Sequence, residues 1–358
     1  MTGGGYEGCA LLWAEDIRCT AIDDAVLDVP HGILVETLAT SICGSDLHIY
    51  RGALDPIMIR GRSQTGHELV GRVIEVGAAV TRFRKGDRVS MAYSCSCGDC
   101  HMCNLGQTAH CETTNKAVYG FGAAFGNLNG THAEALVLPY AEGHASLVPE
   151  AISDRAATTL SCNLPTAVIA NRLADIQPGE TVAMIGAGPT GLLALDIALS
   201  RRPGCILVLD RVRHRLDHVR RLGVETIDVD DAGWKELALT VAGERGFDKI
   251  IEMVGLPESL QMSLDLVRAG GTVAALGVFC DNTFNLNLAD VFLRDISLHM
   301  NGFANARPFM AEAMALIDRG IVDPDSLFSH EYRLDQIGQA FATFHSKRDN
   351  AFKMLIRP

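Results

Sequence analysis

The sequence predicts an α/β chain in two parts, a twisted or barrel-like β unit followed by a doubly wound parallel sheet covered by helices. Three observations carry this. The 358 residues exceed the roughly 100–200 of a usual single domain, which predicts two units. Up to about residue 150 the chain is glycine-rich, with short β-like runs and turn signals. Beyond residue 166 apolar strands alternate with helical patterns, as a parallel sheet with crossover helices requires.

In order, the runs GILVETLAT, ELVGRVIEVG, DRVSMAYS and THAEALVLP read as strands of the first unit. In the second, TVAMIG is a short buried strand and PTGLLALDIALSR a helix. CILVLD and RHRLDHVRRLG repeat the pair, followed by DKIIEMVG, PESLQMSLDLVRAGG and TVAALGVF. Near the C-terminus PFMAEAMALIDRG is a helix closed by Gly320, a residue type that suits a helix C-cap. The expected boundaries are 1–155, 156–297 and 298–358, with the last segment returning to the first unit.

Composition excludes several classes. A net charge of −12 argues against nucleic acid, whose phosphates favour a basic face. No uncharged apolar run reaches the length of a membrane span. The N-terminal stretch has no basic lead-in and is interrupted by acids, unlike a signal peptide. Eleven cysteines, five of them clustered between Cys95 and Cys111, point to metal ligation in a reducing compartment, with cytoplasm expected.

Gly186-Ala187-Gly188-Pro189-Thr190-Gly191 fits the G-x-G-x-x-G pattern. Alone that pattern is weak, but here it follows a strand and opens a helix, where backbone N–H groups can face a pyrophosphate. Asp210 ends the next strand, roughly 20 residues on, where a carboxylate can bond an adenosine ribose. Asp210 favours NAD over NADP. Arg211, Arg213 and Arg215 could offset its repulsion of a 2′-phosphate, or could equally form a solvated helix face.

Cys97, Cys100, Cys103 and Cys111 place four thiols on one short polar segment, a set that suits structural zinc. Cys95 is a fifth candidate with a poorer spacing. Cys43, His67 and Cys162 stand far apart, and spacing cannot join them. Chemically, two thiolates and an imidazole leave the fourth position of a zinc ion open, as a catalytic site needs.

Cys43-Gly-Ser-Asp-Leu-His48, Gly66-His67-Glu68, the four-cysteine segment, Cys162 before Pro165-Thr166, and the glycine turn with Asp210 occur in one order. In that order, over essentially its whole length, the chain resembles the zinc-containing medium-chain alcohol dehydrogenases. Within them it is most similar to the branch that includes sorbitol, threonine and formaldehyde dehydrogenase-like enzymes.

The resemblance implies a GroES-like β domain bearing two zinc sites, a Rossmann domain, and an active site in the cleft between them. It implies catalytic zinc on Cys43, His67 and Cys162, and structural zinc on Cys97, Cys100, Cys103 and Cys111. Ser45 would touch the substrate oxygen and His48 would pass the proton on. Asp46 would orient His67, and Glu68 would approach the metal. Gly186 through Gly191, Asp210, Arg211 and Arg215 would hold the dinucleotide. A small alcohol, aldehyde or ketone is the expected substrate, and a homodimer or homotetramer the expected assembly. Some formaldehyde-type relatives carry aspartate where this chain has Cys162, so that position leaves the substrate open. A zinc-free reductase of the same fold would lack these ligands. A non-catalytic dinucleotide-binding protein would show them eroded.

Overall fold

Residues Lys353–Arg357 form a strand that pairs antiparallel with Ile33–Ile42, so the polypeptide returns to its first unit after building its second. The computed structural model describes residues 6–54, 64–281 and 283–358. The first five residues of the N-terminal stretch lie outside them. Two units result, Met1–Pro165 with Asn305–Pro358, and Thr166–Ala304.

The first unit opens with a hairpin of β1 (Glu7–Trp13) and β2 (Asp16–Ala21). Then come β3 (Ile33–Ile42), β4 (Leu69–Val76), β5 (Arg88–Met91), β6 (Ala135–Leu138) and β7 (Ala145–Leu147). β3 is the hub. It pairs with both β4 and β6, and it feeds Ile33 and Val35 to one apolar core and Ile42 to another. Its burial is near-continuous rather than strictly alternating, taking in Thr37, Thr40 and Ser41 as well as apolar residues, as expected of a strand covered on both faces.

The second unit holds β8 (Thr181–Ile185), β9 (Cys205–Asp210), β10 (Glu225–Asp228), β11 (Phe247–Glu252), β12 (Val267–Ala275) and β13 (Ser297–Met300). They form one parallel sheet in the order β10-β9-β8-β11-β12-β13. The chain then adds β14 (Phe328–Arg333) and β15 (Lys353–Arg357) beside β3, giving the first sheet the path β14-β15-β3-β4-β5-β7. This is the α/β architecture expected. One element differs: in PESLQMSLDLVRAGG the helix stops at Leu266 and VRAGG already belongs to β12. Glycines at 270 and 271 are poor helix formers, and Val267 pairs with Phe247 of β11.

The units part at 165/166 and 304/305, somewhat beyond the 155/156 and 297/298 expected from sequence. The helix Asp154–Thr159 packs on β3 and β4, and β13 continues the parallel sheet. Among the described residues no helix is long and apolar enough to cross a membrane.

A buried polar pair stiffens the first unit. His144 Nδ1 faces the Tyr140 carbonyl (3.1 Å), which can only accept, so Nδ1 carries the proton. Nε2 therefore accepts from the Tyr119 hydroxyl at 2.8 Å. Burial, against the pull of that carbonyl, lowers the His144 pKa to about 4 from 6.5. Between those values the unfolded chain binds the extra proton, so folding stability falls as pH drops from about 6.5 towards 4. Replacing His144 with glutamine is expected to flatten that part of the acid-denaturation profile. An unchanged slope between pH 6.5 and 4 would show that His144 does not contribute.

Candidate active site

β3 ends at Ile42 and delivers Cys43; a short helix, Asp46–Tyr50, follows at once. Asp46 is fully buried and ties the segment to the next one. Its Oδ2 accepts from the Cys43 N–H at 2.8 Å, and its Oδ1 accepts from His67 Nδ1 at 3.0 Å. A carboxylate only accepts, so the proton sits on Nδ1 and His67 Nε2 is left to face outward as a donor atom. Gly66, at φ 95, makes this approach possible: a Cβ there would lie 2.7 Å from the His132 ring.

Cys43 Sγ lies 4.0 Å from Cys162 Sγ, and the Asn163 amide donates to it at 3.4 Å. The hydrogen bond from Cys162 outweighs burial and, with His67 nearby, holds the Cys43 thiol well below its ordinary value. The same bond, then burial, pushes Cys162 well up. Burial opposes a charged His67, but Asp46 and Cys43 together raise its pKa well above the usual imidazole value.

Glu68 lies beside this pair. Its Oε2 accepts from Lys353 Nζ at 2.7 Å and from the Ser41 hydroxyl, and all three residues are fully buried. Burial raises the carboxyl to about 7 in spite of the Lys353 charge. Its other oxygen, Oε1, has no hydrogen-bond partner among the described residues. One ligand atom from each of Cys43, His67, Glu68 and Cys162 lies within 4.8 Å of the others. Two sulfurs and an imidazole nitrogen, with an orphaned carboxylate oxygen alongside, fit zinc.

Ser45 Oγ stands 3.2 Å from His67 Nε2, at the mouth of the cluster. His48 is half-buried, and burial followed by the Arg51 charge lowers its pKa, which keeps it neutral near pH 7. Among the described residues no direct bond joins the side chains of Ser45 and His48, so a proton passing between them needs a bridging hydroxyl or water.

The second group is local. Cys97, Cys100, Cys103 and Cys111 bring their sulfurs within 4.8 Å of one another. Backbone N–H groups of Asp99 and Cys100 point at Cys97 Sγ, and that of Cys97 points at Cys111 Sγ. Four clustered sulfurs, two of them already receiving N–H bonds, suit a thiolate-bound zinc. Cys95 stands apart from them, in the core with its sulfur on the Pro139 carbonyl.

In the second unit the turn Gly186–Gly191 joins β8 to the helix Pro189–Ser200, whose N-cap is Gly188. A Cβ on Gly191 would fall 2.1 Å from the Gly186 carbonyl oxygen, so only glycine allows this helix to sit so close to its strand. Asp210 Oδ2 accepts from the Ala187 N–H at 2.6 Å and Oδ1 from Val212 N–H at 2.8 Å. Arg215 is buried behind the turn, with its Nη1 the nearest atom to a Cβ built on Gly188 and its Nε unpartnered. Arg211 and Arg213 are loosely paired with Asp230 and Asp228, and Asp228 is the strand partner of Asp210.

Ser41, Asn163 and Lys353 carry no motif, and their contacts with the cluster emerge only from the folded structure. Phe121 and Tyr93, edge-on to the His67 ring at 5.4 and 6.1 Å, went equally unread.

Comparison with known proteins gives this geometry a lineage. The alcohol dehydrogenase GroES-like domain matches residues 29–150, and the zinc-binding dehydrogenase domain matches residues 167–319. A probable zinc-binding alcohol dehydrogenase of Mycobacterium tuberculosis is 32% identical, over 96% of this chain and 87% of its own. The chain belongs to the zinc-dependent medium-chain alcohol dehydrogenases. An alcohol dehydrogenase from Thermus sp. ATN1 is similar in structure, with a TM-score of 0.90 and 31% identity over 98% of this chain and 99% of that one. A sorbitol dehydrogenase of Bacillus subtilis is 29% identical, over 93% of this chain and 92% of its own. Members of this family are alcohol oxidoreductases that use a nicotinamide cofactor, and this chain is one of them.

Proposed function

We propose that the protein interconverts primary or secondary alcohols and their carbonyl products with NAD, in the balanced reaction R–CHOH–R′ + NAD⁺ ⇌ R–CO–R′ + NADH + H⁺. The observation that carries this reading is the convergence of Cys43, His67, Glu68 and Cys162 from three separate segments. Cys43, His67 and Cys162 would hold the catalytic zinc, and Cys97, Cys100, Cys103 and Cys111 a second, structural one. When bound, the catalytic zinc supplies Lewis acidity at the reacting oxygen.

The chain's own groups do the rest. Asp46 fixes the His67 ring so that Nε2 keeps its direction. Ser45 Oγ, beside Nε2, is placed to take the hydroxyl proton, and neutral His48 is the base that receives it through a bridging group. The N–H groups at the start of the helix Pro189–Ser200 would hold the pyrophosphate, with Arg215 behind them as a cation. Asp210 stands where a ribose 2′-phosphate would be repelled, which supports NAD over NADP. Asp230 and Asp228 are loosely paired with Arg211 and Arg213, the charges that could offset that repulsion.

A homodimer or homotetramer is part of this reading. β13 is an edge strand, and Leu288, Phe292, Leu293 and Met300 near it are largely exposed, Phe292 at 78%. A surface this apolar suits burial against a second copy. The cytoplasm is the proposed location, since eleven free cysteines suit a reducing compartment.

The test is absorbance of reduced nicotinamide as purified, zinc-replete protein meets primary and secondary alcohols with each cofactor. Turnover with NAD is expected to exceed that with NADP at least about tenfold in kcat/KM, and to vanish on chelation. The same preparation should sediment as a dimer or tetramer. Chelator-resistant turnover, equal use of both cofactors, or a monomer would each overturn the corresponding part.

A further inference from the structure

The hairpin of β1 and β2 sets two cysteines outside both metal groups opposite one another. Cys9 on β1 is in register with Cys19 on β2. On its other side β1 bridges through Gly8 to Ala133 and through Ala10 to Gln64, in the segment that leads into His67.

The ladder fixes which kind of pair this is. Ile22 N–H donates to the Tyr6 carbonyl at 2.9 Å, so alternation along β1 turns the peptide groups of residues 7, 9 and 11 away from β2. Cys9 N–H accordingly donates to the His132 carbonyl at 2.8 Å, and the Glu7 carbonyl accepts from Glu134 N–H at 3.0 Å. Cys9 and Cys19 are therefore a non-hydrogen-bonded pair, the kind with the shorter Cα separation of about 4.5 Å. That falls in the range of roughly 4.4–6.8 Å over which disulfides form. Both side chains share a face: Cys9 is buried in the core with Leu11 and Ile17, and Cys19 packs against the same core. Each sulfur rests on a different oxygen, Cys9 Sγ 3.3 Å from Thr65 Oγ1 and Cys19 Sγ 3.6 Å from Glu7 Oε2. Joining them takes rotation about the Cα–Cβ bonds, on a backbone already spaced for the link.

We propose that Cys9 and Cys19 are a site of reversible oxidation, closed by small-molecule disulfides such as oxidised glutathione, and that closure locks the N-terminal hairpin. Cys19, the more exposed sulfur, attacks as a thiolate and expels one glutathione thiolate; Cys9 then attacks the Cys19 sulfur and expels the second. The balance is Cys9–SH + Cys19–SH + GSSG → Cys9–S–S–Cys19 + 2 GSH. Two electrons pass to glutathione, and the two thiol protons end on the released thiols. In the reducing compartment proposed above the pair stays open until glutathione disulfide accumulates.

Burial pushes both thiols up, Cys19 to about 11 with Glu7, Asp335 and Glu134 adding to the effect. The reduced pair thus lacks the thiolate stabilisation that makes some disulfides easily reduced. For the same reason exchange is slow near pH 7 and quickens about tenfold per pH unit towards pH 9, as the thiolate fraction grows.

The experiment incubates zinc-loaded full-length protein with oxidised glutathione between pH 7 and 9, caps the remaining thiols and maps tryptic peptides by mass spectrometry. Cleavage after Arg18 separates residues 1–18, with Cys9, from residues 19–51, with Cys19 and Cys43, and fragmentation tells the last two apart. A Cys9–Cys19 link that dithiothreitol reverses is expected, forming faster at higher pH, with zinc content unchanged. Tm should rise by roughly 5 °C on closure. Cys19→Ser, or Cys9→Ala should the first variant not fold, should show neither the link nor the rise. Cys9 and Cys19 still reduced, Cys19 held only as a mixed disulfide with glutathione, or Cys9 linked to Cys43 would each overturn the pair. So would zinc loss with Cys9 and Cys19 intact, which would place the oxidisable thiols in the metal groups. A link that leaves Tm unchanged, or a rise that persists in the variant, would overturn the lock.

Discussion

Replacing His67 with alanine is expected to lower kcat/KM for alcohol oxidation by about a thousandfold or more, while NADH still binds. The imidazole is one of the three donors proposed for the catalytic metal, and it is also the group that Asp46 and Ser45 contact. Its removal leaves two thiols and a carboxyl, a weaker set, and takes the partner from the buried Asp46 Oδ1, leaving that acid only the Cys43 N–H. A thousandfold corresponds to about 4 kcal/mol of transition-state stabilisation, within the range that Lewis-acid catalysis supplies. Metal analysis should show zinc falling from about two per chain to about one, the four-cysteine group keeping its own. NADH fluorescence should titrate as in the wild type, because its predicted contacts lie in the other unit. A variant with two zincs and near-normal turnover would refute the assignment of His67. Cys43→Ser should behave alike.

Lys353→Met should destabilise the first unit by about 3–5 kcal/mol, because a buried ion pair broken from one side leaves an uncompensated charge. Lys353 Nζ and Glu68 Oε2 are 2.7 Å apart and both side chains are 0% exposed. In melting temperature the loss is roughly 10 °C for a unit of this size. The double variant Lys353→Met/Glu68→Gln separates charge from packing. It should recover much of the loss, since the remaining amide carries no charge and keeps the bond from Ser41. A single variant as stable as the wild type, or a double variant no better than the single, would show that the pair is not what stabilises this region.

How much of this was legible in the sequence follows from how each feature is built. The parallel sheet was readable because β8, β9 and β11 are buried on both faces and so appear as apolar runs between helical patterns. β13 was not: SLHM is short, mixed and exposed, and only its pairing with β12 makes it a strand. The four-cysteine group could be read because its ligands are neighbours in the chain. The grouping of Cys43, His67 and Cys162 could not be read from spacing, and their roles came from resemblance to a family. Lys353 reads as an ordinary surface lysine until β15 seats it beside β3. Phe121 sits in a glycine-rich stretch without periodicity, and its place depends on glycine contacts that are invisible before the backbone is folded.

The return of β15 to β3 also sets an order of events during synthesis. Residues 166–304 form a contiguous stretch, and all six strands of their sheet are translated before β14 and β15. That unit can therefore close while the first still lacks two strands along one side of β3. Through that interval Glu68 has no lysine beside it, and β3 presents an open edge next to Cys43, His67 and Cys162, already translated. The nascent first unit is thus most exposed to mispairing and to stray metal ions just as its neighbour is finished. Slow elongation across residues 305–352 would lengthen that exposure.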